Sequence, residues 1–321
     1  MNLPESGGGL KEWRHAPGRP FRPALCARQA PARLCFRLVV FGLLACSAIA
    51  CRPTRTAQPA GYFGPTETMD AVVEAINANN RRIPTLWAKG YFEADLVDDS
   101  GRRQFVNGEL TLLRRKPAEF RLVGRKDVAG QVFELGTTAE HYWMIVRPEA
   151  DTMWHGSVAN LERADTRRLP IRPDLLSEVL AIGEFDPDFL REPMPVMRFN
   201  NDADAYMFIW HTRGRDRLLA QREIWFDRRT KLPKLVLLFD THGRIVLRAY
   251  LLNHRPIADT EAMIATQYQL FFPDRQARLK LDLSTVRLSH NGVPREGSIR
   301  FPGPEGAGVT NSICVDDSPA R

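Results

Sequence analysis

Cysteine is scarce in this chain of 321 residues, long apolar runs are missing, and no catalytic signature occurs. The longest uncharged stretch runs only from Leu38 to Ala50 before Cys51, whereas a bilayer-spanning helix needs about 20 apolar residues. No Gly-x-Ser-x-Gly elbow, phosphate-binding glycine loop or other cofactor motif is present. Six histidines follow residue 50 (His141, His155, His211, His242, His254, His290), none paired at His-x-His, His-x-x-x-His or His-Glu-x-x-His spacing. Zinc chemistry therefore has no support from spacing. Asp186 with Asp188 and Asp202 with Asp204 are close carboxylate pairs, but turn and cap roles are commoner for Asp than acid–base or calcium sites. These readings point away from an enzyme.

A strong basic excess is also missing once the chain is divided. The first 50 residues hold seven Lys or Arg and two Glu, leaving 38 basic and 36 acidic residues beyond them. The net charge of +7 belongs mainly to that prefix, so nucleic-acid binding has no electrostatic basis. Of the five cysteines, Cys26, Cys35 and Cys46 fall in the prefix. If Cys51 is modified, Cys314 has no partner, and the fold must rest on a hydrophobic core rather than a disulfide.

What is there begins with the apolar run. Its length suits the core of an export signal, with Arg28, Arg33 and Arg37 as the positive flank. Ala48 and Ala50 precede Cys51, the arrangement cut by a lipoprotein signal peptidase, so residues 1–50 read as a signal peptide with an unstructured extension. Leu43-Leu44-Ala45-Cys46 supplies the leucine that the first site lacks, which leaves Cys46 as an alternative lipid anchor. Plain secretion and a short buried helix are the remaining readings. Residues 51–65, rich in Pro, Gly and Ala, read as a flexible tether.

Thr66 is a candidate cap for a helix over 67–81, with Met69, Val72, Val73 and Ile76 on one face. The period then switches to two. Candidate strands are 87–97, 104–114, 118–124, 130–137, 140–147 and 151–156, then 196–200, 205–211, 217–227, 233–240, 244–253, 261–272 and 277–288. Short connections exclude parallel crossovers and imply an antiparallel meander. A helix between the two blocks is expected with Asp174 as cap and Leu175, Leu176, Val179, Leu180 and Ile182 as its stripe. The stretches 205–211 and 233–240 are apolar on both faces, so their sheet must be covered twice or enclose something. The two blocks could each form half of one curved sheet. Beyond Asn291 the chain reads as loop, with 302–321 disordered. Five of the six tryptophans (Trp87, Trp143, Trp154, Trp210, Trp225) fall on these strands, where core packing is the default.

The lipobox, the tether, a helix ending in INANNRRI, and the run LWAKGYFEADLVDDSGRRQFVNGELTLLRRKPAEFRLVG with VFELGTTAEHYWMIV and YQLFFPDRQARLKLDL resemble the LolA/LolB-like lipoprotein carrier and receptor group over about residues 66–290. The resemblance implies a mostly β, α+β chain. Its strongly curved antiparallel sheet would be a half-barrel of about eleven strands, with helices covering the concave face. It implies a cavity that holds a lipid or lipoprotein acyl chain. A lipid anchor in the membrane fits the anchored receptor better than the soluble shuttle, and Arg52 after the cysteine favours the periplasmic face of the outer membrane. Expected cavity residues are the apolar members of alternating strands: Phe120, Leu122, Phe133, Leu135, Ile224, Phe226, Leu279, Leu281 and Leu283. The alternative is an assembly lipoprotein with a filled concavity that binds an envelope protein partner.

Overall fold

The computed structural model describes residues 64–97, 101–147, 150–161, 169, 171–214 and 216–316. The expected signal peptide, Cys46, Cys51 and nearly all of the tether lie outside the described residues. Among the described residues no helix is long and apolar enough to cross a membrane.

The first helix, α1, is Met69–Arg81, and its N-cap is Thr68, whose Oγ1 accepts from the Ala71 N–H at 3.4 Å. The cap lies two residues beyond the expected Thr66 because the Glu67 N–H is held in an extended segment by the Tyr206 hydroxyl at 2.8 Å. Val72, Val73, Ile76 and Asn80 form the buried face, the recurrence expected of a helix lying on a sheet. The second helix, α2, is Pro173–Val179, with proline in its first turn. Asp174 is not its cap: Arg172 occupies that position, and Asp174 pairs with it at 2.6 Å. Ala181, at φ 53, ends the helical path, so Leu180 and Ile182 are buried beyond the helix rather than on its stripe.

The strands are β1 (Thr85–Val97), β2 (Arg103–Arg115), β3 (Glu119–Lys126), β4 (Gly130–Thr137), β5 (His141–Val146) and β6 (Thr152–Ser157). Next come β7 (Met194–Asn200), β8 (Ala205–Arg213), β9 (Leu218–Asp227) and β10 (Pro233–Phe239). The series ends with β11 (Ile245–Pro256), β12 (Met263–Phe272), β13 (Ala277–Arg287) and β14 (Asn311–Cys314). All fourteen form one open sheet in the order β14-β6-β5-β4-β3-β2-β1-β13-β12-β11-β10-β9-β8-β7. The thirteen ranges read from periodicity each correspond to a strand, and the count of eleven is corrected to fourteen. The two meanders, β1–β6 and β7–β13, join where β1 pairs antiparallel with β13. At that seam Gly90 sits at a bulge where a Cβ would collide with the Asp282 carbonyl, so the close approach requires glycine.

The strand order shows the sheet to be curved. Helix α2 contacts β4 and β5, yet its Glu178 pairs with Arg222 of β9 at 2.5 Å. Eight inter-strand steps separate β4 from β9 in the order above, about 38 Å if the sheet were flat.

One face, here called inner, carries the main core: Val72, Val73 and Ile76 of α1 and Leu176 and Val179 of α2 pack with Phe92, Leu122, Phe208, Phe226, Leu247 and Tyr268. The other, outer face is covered unevenly. Over β1–β6 the segment after β13 returns across it, and Ile299, Ala307 and the flanking Phe301 pack on Trp87, Leu113, Trp143, Ile145 and Met153. This segment forms a one-turn helix, α3 (Gly303–Gly306), and then β14, which pairs parallel with β6. The tail read as disordered is thus ordered to residue 316. Its short elements carry weak periodicity, and Asp316 anchors it by accepting from the Ser157 N–H at 2.8 Å and Asn160 Nδ2 at 3.1 Å. Across β7–β11 no described segment covers the outer face, and Met207, Ile209, Trp225, Leu235 and Leu237 remain half-buried there with Val196 exposed.

Candidate functional site

A cavity of about 490 Å³ opens between the inner face, the β2–β3 turn and the stretch that includes the end of α2. Its apolar wall is Phe185, Trp210, Ile224 and Phe226, with Ala181 beside them. The rings pack on one another: Phe185 lies 4.9 Å from Trp210 and 6.0 Å from Phe226. The wall segment 181–185 has no regular structure, and Asn77 and Asn80 of INANN hold it. Asn77 accepts from the Phe185 N–H at 2.8 Å and donates to the Phe185 carbonyl at 3.1 Å. Asn80, only 3% exposed, donates to the carbonyls of Ala181 at 3.3 Å and Gly183 at 2.8 Å. Asn79 makes the same reciprocal pair with Met263, donating to its carbonyl at 3.0 Å and accepting from its N–H at 2.7 Å. One helix end therefore satisfies backbone groups that a sheet ladder would otherwise pair.

The charged groups at the cavity are engaged with carboxylates or with backbone carbonyls. Lys116 Nζ donates to the Asn80 carbonyl at 2.7 Å and to Glu184 at 3.0 Å. Arg222 pairs with Glu178 and lies over the Trp210 ring at 4.3 Å, a cation–π arrangement. Arg114 staples the turn by donating to the carbonyls of Arg115, Glu119 and Pro117 at 2.8–3.1 Å. Burial lowers its pKa, and Glu178 and Glu119 oppose that shift. Beside these bonded polar groups, Phe185, Trp210, Ile224 and Phe226 offer a ligand an aromatic and aliphatic wall. Such walls with a few fixed polar groups are typical of small-molecule sites of 300–1,000 Å³.

The nine residues expected from strand alternation all lie on the inner face and belong to, or pack against, its core. Ile224 and Phe226 line the cavity. Phe120, Leu122, Leu135, Leu279, Leu281 and Leu283 are at most 4% exposed and pack in the core without lining it, as does the half-buried Phe133, whose ring meets Phe92 edge-on at 4.8 Å. Sequence reasoning missed Phe185, which lies on an irregular stretch, and gave core packing as the default for Trp210. The INANN asparagines were the available signal.

The other candidates have local roles. Asp186 accepts from the Asp188 N–H at 2.9 Å and pairs with Arg191, and Asp188 accepts from the Leu190 N–H at 3.0 Å, both in a turn. Asp204 pairs with Arg228 at 2.6 Å. His141 stacks on Phe301 at 4.7 Å, and His290 lies tilted against Trp87 at 4.4 Å. Among the described residues no group of three or more His, Cys, Asp or Glu could hold a metal ion.

No model of a known protein family matches the chain, and no curated protein matches it either. Solved structures similar in fold do exist. A domain from Vibrio parahaemolyticus provisionally designated an outer membrane lipoprotein-sorting protein is 10% identical, at a TM-score of 0.49, covering 72% of this chain and 95% of that one. A DUF1329 family protein from Desulfovibrio piger is 11% identical, at a TM-score of 0.46, with coverage of 71% and 99%. A LolA superfamily protein from Nitrosomonas europaea is 12% identical, at a TM-score of 0.42, with coverage of 70% and 94%.

Proposed function

We propose that this chain is an exported, lipid-anchored envelope protein that binds a lipid or a lipoprotein acyl chain, without catalysis. The anchor is Cys51, or Cys46 in the alternative, and the bound chain occupies the cavity between α2 and β8–β9. One observation carries the reading: the 490 Å³ cavity with an apolar wall of Phe185, Trp210, Ile224 and Phe226, whose charged groups are bonded to carboxylates or backbone carbonyls. In this reading the helices cover the concave side of the sheet, and α2, tied to β9 by Glu178–Arg222, is the element that opens. Each methylene taken from water contributes about 0.8 kcal/mol, so an alkyl chain binds by length rather than by specific contacts. The outer membrane, reached by lipoprotein sorting, is the proposed location. Protein purified from its own host and extracted with organic solvent is expected to yield stoichiometric lipid by mass spectrometry. Repeated preparations free of lipid would defeat the reading. Radiolabelled palmitate should be incorporated by the wild-type chain and lost in Cys51→Ala; retention of label in that variant would move the anchor to Cys46.

A second reading rests on a different observation. The uncovered outer face of β7–β11, with Met207, Ile209, Trp225, Leu235 and Leu237 half-buried and Val196 exposed, is a sheet face with no described cover. In this reading it binds a protein partner in the envelope. Cross-linking from Val196 to a single protein in intact cells, with no lipid in the purified chain, would favour it over the first.

A further inference from the structure

A second recess, of about 360 Å³, lies on the opposite side of the sheet, between the outer face of β3–β5 and the returning C-terminal segment. We propose that it is an oxyanion site taking a phosphate or carboxylate group, held by Arg147 and Arg300 with Arg121 behind them. The proposal does not depend on the acyl-chain cavity, which it does not touch.

Charge and hydrogen-bond capacity both mark the recess as a site for an anion. Three guanidinium groups, Arg121, Arg147 and Arg300, line the recess with a single carboxylate, Glu134. Glu134 is 5% exposed and already engaged. Arg121 donates to it through Nε at 2.9 Å and Nη2 at 2.8 Å, and the Trp143 indole N–H donates at 3.1 Å. That carboxylate therefore balances Arg121 and nothing more. Arg147 donates one Nη2 bond to the Ala307 carbonyl, and its buried Nε has no partner. Arg300 donates from Nε to the Gly297 carbonyl. Neither forms an ion pair with a carboxylate among the described residues. Two guanidinium groups with no bonded carboxylate thus share one recess, Arg147 being balanced only from farther off by Asp151, and planar guanidinium forks match the oxygens of phosphate and carboxylate. Ile145, Pro302 and Ala307 supply the apolar part of the wall, so an organic body attached to the anion has a surface to rest on. Arg121 and Arg147 stand on β3 and at the end of β5, while Arg300 belongs to the returning segment. Ligand would therefore also tie that segment to the sheet.

The anion could be free phosphate or the headgroup of an anionic lipid, and the test separates these. Full-length protein is titrated calorimetrically with inorganic phosphate at fixed ionic strength. In parallel it is mixed with phosphatidylcholine vesicles lacking or containing phosphatidic acid. The expected result is saturable binding in one arm, weakened about tenfold or more in Arg300→Gln and further in Arg147→Gln with Arg300→Gln, the loss of a charge-assisted bond. Substitution by lysine at both positions should retain part of the binding. Phosphate binding alone identifies a free anion, and binding only to vesicles with phosphatidic acid identifies a headgroup. Arg300 is exposed and bonded only to a backbone carbonyl, so its single variant is expected to fold, which its unfolding curve checks. No binding in either arm beyond a sodium chloride control would overturn the proposal. Binding equal in wild type and the folded Arg300→Gln variant would overturn it as well.

Discussion

Replacing Gly136 with alanine is a severe test of the packing on the outer face. Gly136 lies in β4 directly opposite Trp143 of β5, and a Cβ there would come closer than 3.0 Å to the six-membered ring of the Trp143 indole. The indole is fully buried, sits 5.8 Å from the Phe301 ring and donates its N–H to Glu134. It has nowhere to go without losing that bond. Overpacking of this kind costs about 1–3 kcal/mol, and a hydrogen bond to a charged group is worth about 1.5–3 kcal/mol. The expected destabilisation is about 4 kcal/mol, read as a fall in the urea midpoint with an unchanged slope. The cause is checked by a double-mutant cycle with Trp143→Phe, which removes the colliding ring. The two substitutions should be strongly non-additive, with a coupling of at least about 1.5 kcal/mol. A cost under about 1 kcal/mol for Gly136→Ala, or additivity within about 0.5 kcal/mol, would refute the reasoning.

Further outcomes follow from the same contacts. Asn80→Ala leaves the carbonyl of buried Ala181 and that of exposed Gly183 without their side-chain donor, a cost of about 1–2 kcal/mol in urea unfolding. It should also weaken fatty-acid binding, because segment 181–185 is a cavity wall. Phe301→Ala removes the ring that stacks on His141 and covers Trp143. It should cost about 2–3 kcal/mol and make the C-terminal segment the first site cut in limited proteolysis. Burial lowers the pKa of His254 below 6.5, opposed by hydrogen bonding to the Pro233 backbone and by Asp227, and its Nε2 has no partner. The unfolded chain then binds the proton first, so stability should fall as pH drops below about 6.5, by up to about 1.4 kcal/mol per unit. His254→Gln should flatten that slope, and an unchanged slope would show that another group titrates.

The strands were legible because alternation of period two is a local property. Ala277-Arg278-Leu279-Lys280-Leu281-Asp282-Leu283 alternates in sequence and in burial alike. The seam between β1 and β13 was not legible, since nothing local in either strand names a partner almost two hundred residues away. The short β14 escaped notice for the opposite reason, as four residues carry too little pattern and its parallel pairing depends on the anchor at Asp316. The apolar face of the cavity was half legible. Alternation put Ile224 and Phe226 on the inner face with seven neighbours, but the difference between lining a cavity and filling a core depends on where segment 181–185 stands. That position is set by two asparagine side chains, Asn77 and Asn80, each bonding to backbone about a hundred residues away, which hydropathy does not register.

The central claim is that the cavity beside α2 takes an alkyl chain. Its most direct test is titration of the delipidated full-length protein with a fluorescent fatty acid, alongside Ile224→Trp, which places an indole in the cavity. The account predicts one saturable site in the wild type, affinity that rises with chain length, and loss of at least about tenfold in the variant while its unfolding midpoint stays near wild type. No uptake by the wild type, or equal uptake by a folded Ile224→Trp, would contradict it.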